Sequence, residues 1–200
     1  MKPKVVLFYP PYDGPPLSAP LCLLSLAGAL LEAGFEARMI DAAVTEDWPV
    51  ALARELQGAL CLGISVLTGP MIRGALRAAT IARQVRADLP VIFGGWHPSL
   101  AAEQTLANPL VDLIVRGQGE ATLLEIAQRL LAGAPVAGVR GLTRRDGGHC
   151  VHELERPVSN INQLPGGREA GGGHCARPGR LQGPLPLDIS GLNRFPVPHE

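Results

Sequence analysis

The chain has 200 residues, with 18 basic and 18 acidic side chains cancelling and aromatics at only 4%. That excludes the electrostatic footprint of a nucleic-acid or membrane-surface binder and leaves little for base stacking. The 46% of hydrophobic residues can fill one domain core, yet no apolar run approaches the ~18–20 residues of a membrane span. The apolar run after Met1-Lys2-Pro3-Lys4 is too short for a signal-peptide core, which makes the cytoplasm the expected compartment. Cys22, Cys61, Cys150 and Cys175 are scattered and form no CxxC or CxxxCxxC, so neither a zinc knuckle nor a [4Fe-4S] site is expected.

In chain order, Lys4 to Tyr9 is a continuous apolar, β-branched run of the kind buried on both faces of a parallel sheet. The prolines from Pro10 to Pro16 end it in a loop. Apolar residues at helical spacing predict a helix from Pro20 to Ala33, closed by Gly34. A second strand covers Phe35 to Ile40 and ends at Asp41, and a weaker helix covers Trp48 to Leu56. Ala59 to Val66 is a third buried strand. Met71 to Ala87 is a strong helix, with Arg73, Arg77, Arg83 and Arg86 as its wet side. Val91 to Phe93 centres a fourth strand, Ser99 N-caps a helix to Ala107, Val111 to Val115 is a fifth strand, and Glu120 to Leu131 a helix stopped by Gly133. Strands alternating with helices predict an α/β fold. Its five-stranded parallel sheet is flavodoxin-like (Rossmann-like), with helices on both faces, over residues 1–135. Residues 136–165 read as a β-hairpin around Asp146-Gly147-Gly148 and the start of a linker. Residues 166–200 are Gly/Pro-rich and read as a disordered tail.

In such sheets ligands bind outside the carboxyl ends of the strands. The loops there are 10–19, 41–47, 67–70, 94–98 and 116–119. Gly94 and Gly95 end the fourth strand ahead of Trp96, His97 and Pro98. They read either as a tight strand-to-helix turn or as a place where a bulky ligand lies against the main chain. The loop Pro10-Pro11-Tyr12-Asp13 is a rigid connector or a ligand-facing wall, and it lacks the Gly, Ser and Thr of a phosphate loop. Ser65, alone a satisfied core hydroxyl, gains interest from lying at a strand end beside the glycine pair. A receiver domain on this topology would need an acidic phosphoacceptor at that place, paired acids after the first strand and a lysine after the fifth. Ser65, a lone Asp13 and Arg116 stand there instead. His97 is either a hydrogen-bonding loop residue or a ligand contact. Gly117-Gln118-Gly119-Glu120 is either a tight turn with a charged helix start or a set of N–H groups facing the same pocket.

Together these residues resemble the cobalamin-binding domain that precedes the catalytic barrel in cobalamin-dependent radical SAM enzymes. The resemblance covers residues 4–165. It is carried by Tyr9-Pro10-Pro11, the run from Leu23 through Ala27 to Gly34, and Asp41. It is also carried by Ser65-Val66-Leu67, Gly94-Gly95-Trp96-His97-Pro98, and Asp112 with Arg116-Gly117-Gln118-Gly119-Glu120. It implies that Ser65, Val66, Leu67, Gly94 and Gly95 line a slot for the cobalamin nucleotide tail, Ser65 bonding its dimethylbenzimidazole region. Pro10, Pro11, Tyr12 and Thr68 would belong to the corrin-facing loops. Leucine at Gly95 is accordingly expected to block uptake without unfolding the domain. Related methyl carriers ligate cobalt through a histidine in an Asp-x-His-x-x-Gly loop, and the loop holding Asp13 has no histidine. No residue is assigned a catalytic or cobalt-ligating role.

The family continues from such a hairpin into a barrel with Cys-x3-Cys-x2-Cys, which binds a [4Fe-4S] cluster and SAM. Arg156 to Pro165 resembles the start of that linker, and the cluster motif does not follow. The tail therefore reads as a short natural end, a truncated gene or a frameshift, and catalysis would need a separate radical SAM domain or subunit. The alternatives are a nucleotide or flavin module on the same fold, a corrinoid methyl carrier, or a non-binding remnant.

Overall fold

A computed structural model of the protein describes residues 2–12 and 20–159. Asp13 and the tail from 166 onward, on which expectations were placed, lie outside the described residues. The strands are β1 (Lys4–Tyr9), β2 (Glu36–Asp41), β3 (Ala59–Ser65), β4 (Val91–Gly94), β5 (Leu113–Val115), β6 (Leu142–Asp146) and β7 (His149–His152). The helices are α1 (Leu21–Glu32), α2 (Trp48–Glu55), α3 (Met71–Val85), α4 (Trp96–Leu100), α5 (Ala102–Leu106) and α6 (Glu120–Leu131).

The described strands form one sheet in the order β2-β1-β3-β4-β5-β6-β7. The first five are parallel, the flavodoxin order expected of the strand–helix alternation. The hairpin is not a separate appendage: β6 pairs antiparallel with β5 and β7 with β6, extending the sheet to seven strands. The physical reason is the free edge of β5, which would otherwise present unpaired backbone groups.

Alternation along the strands divides the core in two. Val6, Phe8, Leu62, Ile64, Val91 and Phe93 face α2, α3 and α5. Val5, Leu7, Cys61, Ile92, Leu113 and Val115 face α1 and α6. Burial pushes the Cys61 thiol up to about 12, so it is an inert apolar filler there. The expected helix from Ser99 to Ala107 is two short helices, broken at Ala101 (φ −126°, ψ 49°). Ser99 is not its N-cap. It sits inside α4, where its Oγ donates to the Gly95 carbonyl at 2.7 Å and accepts from the Gly117 N–H at 3.0 Å. Nor is Arg83 simply wet: it donates to the carbonyls of Leu89 (2.7 Å) and Leu110 (3.2 Å) and pairs with Asp112 at 2.6 Å. Asp112 also accepts from the Val91 N–H at 2.7 Å, so the pair ties α3 to the starts of β4 and β5.

The chain leaving β7 is held on α6. Arg156 donates to Glu125 and to Thr122 Oγ1 (2.8 Å), and Arg129 bonds Glu125 at 2.8 Å. Burial alone would raise the Glu125 carboxyl, but the bonds from Arg156 and Arg129 outweigh it and hold the group below its ordinary value. A folded-state value below the unfolded one of about 4.3 stabilises the fold above that pH, and the contribution disappears as pH falls through the folded value. Glu125→Gln is expected to lower stability at pH 7 by about 1–2 kcal/mol. It should also flatten the acid limb of the stability profile, read by urea titration between pH 7 and 3. An unchanged acid limb would show that the Arg156 clasp does not stabilise the fold.

Candidate functional site

The strand order reverses between β1 and β3, where α1 and α3 leave on opposite faces of the sheet. Side-chain size along the strands shows why a cavity forms on the α1 and α6 side. The alternation that puts Cys61 and Ile92 on that face next puts Gly63 and Ser65 of β3 and Gly94 of β4 there. Ser65 is paired with Gly94 in the β3–β4 register. Toward the carboxyl edge the face therefore shrinks to glycine, serine and glycine. The deep end is an apolar chamber of about 40 Å³, lined by Gly63, Gly94 and Ser65 with Leu7, Leu26 and Leu123 among its walls. Leu26 and Ser65 are shared with a mouth of about 500 Å³, which also takes in Tyr9, Cys22, Trp96, Leu100, Gln118 and Glu120.

The two glycines of β4 have different duties. Gly94 faces the chamber, and a Cβ there would make only ordinary contacts, 3.6 Å from the Val115 carbonyl oxygen and 3.7 Å from Val115 Cβ. Gly95 has φ +94° and ψ −169°, a region open to glycine almost alone. A Cβ on it would lie 2.9 Å from both the Val66 nitrogen and oxygen. Its small size serves the closure of β4 onto β3, where Val66 N–H donates to the Gly94 carbonyl and His97 N–H to the Val66 carbonyl. The expectation that leucine at Gly95 leaves the fold intact therefore gives way to a backbone clash.

The polar groups of the mouth are few. Ser65 Oγ stands 3.5 Å from Cys22 Sγ. Glu120, the first residue of α6, accepts from Ser25 Oγ at 2.7 Å through Oε1, while its buried Oε2 has no hydrogen-bond partner among the described residues. Burial, then the neighbouring Cys22, Asp41 and Tyr12, raises the Tyr9 phenol, so it stays protonated at neutral pH. Around these groups Leu21, Leu67, Trp96 and Leu100 are exposed apolar side chains, Trp96 at 72% and Leu100 at 79%. An apolar rim of this extent marks a surface that takes a large ligand or partner.

Of the residues expected at the site, Ser65, Leu67, Gly95, Trp96, Gly117, Gly119 and Glu120 line the mouth, and Gly94 lines the chamber. Val66 and His97 face the other side of the sheet, in a depression with Ile72, Phe93 and Thr105. There His97 Nδ1 and Thr68 Oγ1 are 3.3 Å apart. Pro10 and Pro11 pack on α3 at Gly74, where a Cβ would come within 2.5 Å of the Pro11 ring. Tyr12 is exposed. Sequence reasoning did not place Gly63, Leu26, Cys22 or Ser99 in the site, and it took Gln118 only as part of the Gly117-Glu120 loop. Gly63 carried a readable signal, since an isolated glycine within an apolar strand marks a close approach.

The model of the B12 binding domain family matches residues 3–127. An uncharacterized methyltransferase of Pyrococcus horikoshii is 32% identical over 106 residues, covering 52% of this chain and 23% of its own length. An anaerobic magnesium-protoporphyrin IX monomethyl ester cyclase of Rubrivivax gelatinosus is 29% identical over 154 residues, 72% of this chain and 28% of its own. Among solved structures, the radical S-adenosylmethionine methyltransferase TsrM from Kitasatospora setae, with cobalamin and a [4Fe-4S] cluster bound, is similar at TM-score 0.70 and 25% identity, covering 84% of this chain and 32% of TsrM. The cobalamin-dependent radical enzyme OxsB with aqua-cobalamin matches at TM-score 0.71 and 22% identity, which speaks to the fold, over 82% of this chain and 24% of OxsB. The chain thus spans less than a third of the length of these relatives.

Proposed function

This chain belongs to the B12-binding domain family, and on that premise we propose that it holds cobalamin with the nucleotide tail in the slot between α1, α6 and the ends of β3 and β4. The observation that carries the reading is the run of small residues, Gly63, Ser65 and Gly94, on one face at the switch point. It makes a cradle that ordinary strand residues would fill. The dimethylbenzimidazole ring is flat and apolar, as the chamber walls are. The ribose hydroxyl and amide groups of the tail meet the few polar groups of the mouth, where Glu120 Oε2 has no partner among the described residues and accepts from them, and the phosphate lies toward the start of α6 at Gly119. The exposed rim of Leu67, Trp96 and Leu100 suits the broad face of a corrin ring.

Size sets a condition on this mode. A single benzene ring occupies cavities of about 150 Å³, and the chamber has about 40 Å³. Seating a two-ring base requires Leu26 and Leu123 to swing outward into the 500 Å³ mouth. Those are side-chain rotations on α1 and α6, and the sheet need not move. Ser65 Oγ then exchanges its weak contact with Cys22 for a hydrogen bond to the base.

When bound, the cofactor supplies a cobalt centre for methyl transfer or radical chemistry. This chain's residues orient it and shield its tail from water. The methyltransferase and cyclase names of the relatives point to methyl transfer or ring closure as the activity of a larger assembly. In that assembly a radical SAM domain, on another chain or a longer one, covers the corrin face.

The test is direct. The full chain is mixed with hydroxocobalamin, free ligand is removed by gel filtration, and the absorption spectrum of the protein fraction is recorded. One corrinoid per folded chain is expected. A folded chain that elutes without the corrinoid chromophore would overturn the reading.

A further inference from the structure

At the hairpin edge of the sheet, three potential ligands of different chemistry converge. Glu103 projects from α5, and Cys150 and His152 stand two residues apart on β7, which places both side chains on one face. His152 Nε2 lies 3.2 Å from Glu103 Oε1 and 3.9 Å from Cys150 Sγ, and all three ligand atoms lie within 4.8 Å of one another. Ligands on a tetrahedral zinc stand about 3.3–3.8 Å apart, from metal–ligand distances of about 2.0–2.3 Å. The cluster is therefore close to coordination geometry before any adjustment.

A second observation concerns what lies behind the histidine. Thr143 on β6 is fully buried, and its Oγ1 is 2.8 Å from His152 Nδ1. That bond fixes the ring and turns Nε2 toward Glu103 and Cys150. A hydroxyl both donates and accepts, so Thr143 can accept from Nδ1–H when Nε2 carries a metal. This is the outer support that metal-ligating histidines ordinarily have. The surroundings are not anionic: Arg116 and Arg145 stand nearby. Their guanidiniums are bonded to carbonyls, Arg116 to Glu153 and Arg145 to Leu106 and Asn108. Two anionic ligands and one neutral imidazole neutralise a divalent ion, and the thiolate and imidazole select a borderline-soft one.

We propose that Glu103, Cys150 and His152 form a zinc site that clips the hairpin edge of the sheet to α5. The fourth coordination position opens on a depression of about 650 Å³, lined by Ser99, Gln104 and Arg116 among others, where water completes the shell. The clip has a structural use. Among the described residues β7 is the edge strand of the sheet, paired with β6 on one side, and tethering it to α5 restrains that edge. The proposal is independent of corrinoid binding and is read on the corrinoid-free protein.

The experiment uses the untagged full chain, reduced, stripped with a chelator and titrated with zinc against a chromophoric competitor. One zinc per chain is expected, together with a rise in Tm. Cys150→Ser and Glu103→Gln, both on exposed side chains, should each abolish this binding while the far-UV circular dichroism is kept. Thr143→Val, which removes the support and keeps the shape, should weaken it about 10–100-fold. Cys175→Ala in the tail should leave it unchanged. Zinc retained at full stoichiometry by folded Cys150→Ser or Glu103→Gln, or lost only on Cys175→Ala, would overturn the proposal.

Discussion

Gly94→Leu is expected to abolish cobalamin retention in a chain that still folds, and Gly95→Ala to remove a large part of the stability of the fold itself. The two residues are adjacent and chemically identical, so the contrast isolates geometry. At Gly94 a Cβ would be 3.6 Å from the nearest Val115 atom, an ordinary contact, and the rest of the side chain would run into the chamber. The occupied volume is what the tail base needs. At Gly95 the backbone conformation costs a non-glycine residue about 1–3 kcal/mol. The 2.9 Å approach to Val66 nitrogen and oxygen adds strain of about 1–3 kcal/mol, because main chain cannot rotate away as a side chain can. Set against a domain stability of about 5–15 kcal/mol, that sum is large. Urea unfolding of both variants, and corrinoid retention by Gly94→Leu, would be measured. Gly94→Ala serves as the milder partner, with intermediate retention and near-native stability. A folded Gly94→Leu that keeps its corrinoid would remove the chamber from the binding mode. Gly95→Ala with native stability would contradict the closure of β4 onto β3.

The same pair shows how far residues alone could be read. Two glycines after an apolar run announce that a side chain is unwelcome, and they do not say whether a ligand or another strand is the reason. That depends on which face each position presents, and the period-two rule carries that information only once the register is known. The rule also explains Val66. In Ser65-Val66-Leu67 the outer two residues line the mouth and the middle one turns to the α3 side, as alternation requires. His97 follows Val66 across, because its N–H is bonded to the Val66 carbonyl.

The parallel sheet was legible because its strands, β2 apart, are largely apolar runs and its helices have clean stops, such as Gly34 and Gly133. The pairing of β6 with β5 was not, since it depends on a free edge and on no residue within the hairpin. The role of Pro10 and Pro11 was hidden for a similar reason. Their rings fit against α3 only because Gly74, sixty-odd residues later in the chain, leaves the space.

Gly63 offers the sharper test of the proposed slot, because there stability and binding should move in opposite directions. It lies within β3, where glycine weakens a strand by roughly 0.5–1 kcal/mol relative to alanine through chain entropy. No positive φ is imposed on it. A Cβ would come 3.1 Å from Leu7 Cδ2 and 3.9 Å from Leu123 Cδ2, the ends of two side chains that border the chamber. Those ends can give by a few tenths of an ångström into free space, so the added methyl is accommodated. Gly63→Ala is therefore expected to keep or slightly raise the urea midpoint. The methyl and the displaced Leu7 together take up much of a 40 Å³ chamber whose walls must already part for the base. Cobalamin affinity should fall by about tenfold or more, equivalent to about 1.4 kcal/mol or more, measured by spectral titration with hydroxocobalamin. Affinity unchanged in a variant of native stability would mean that the tail does not reach down to Gly63, and the slot would then end at Ser65.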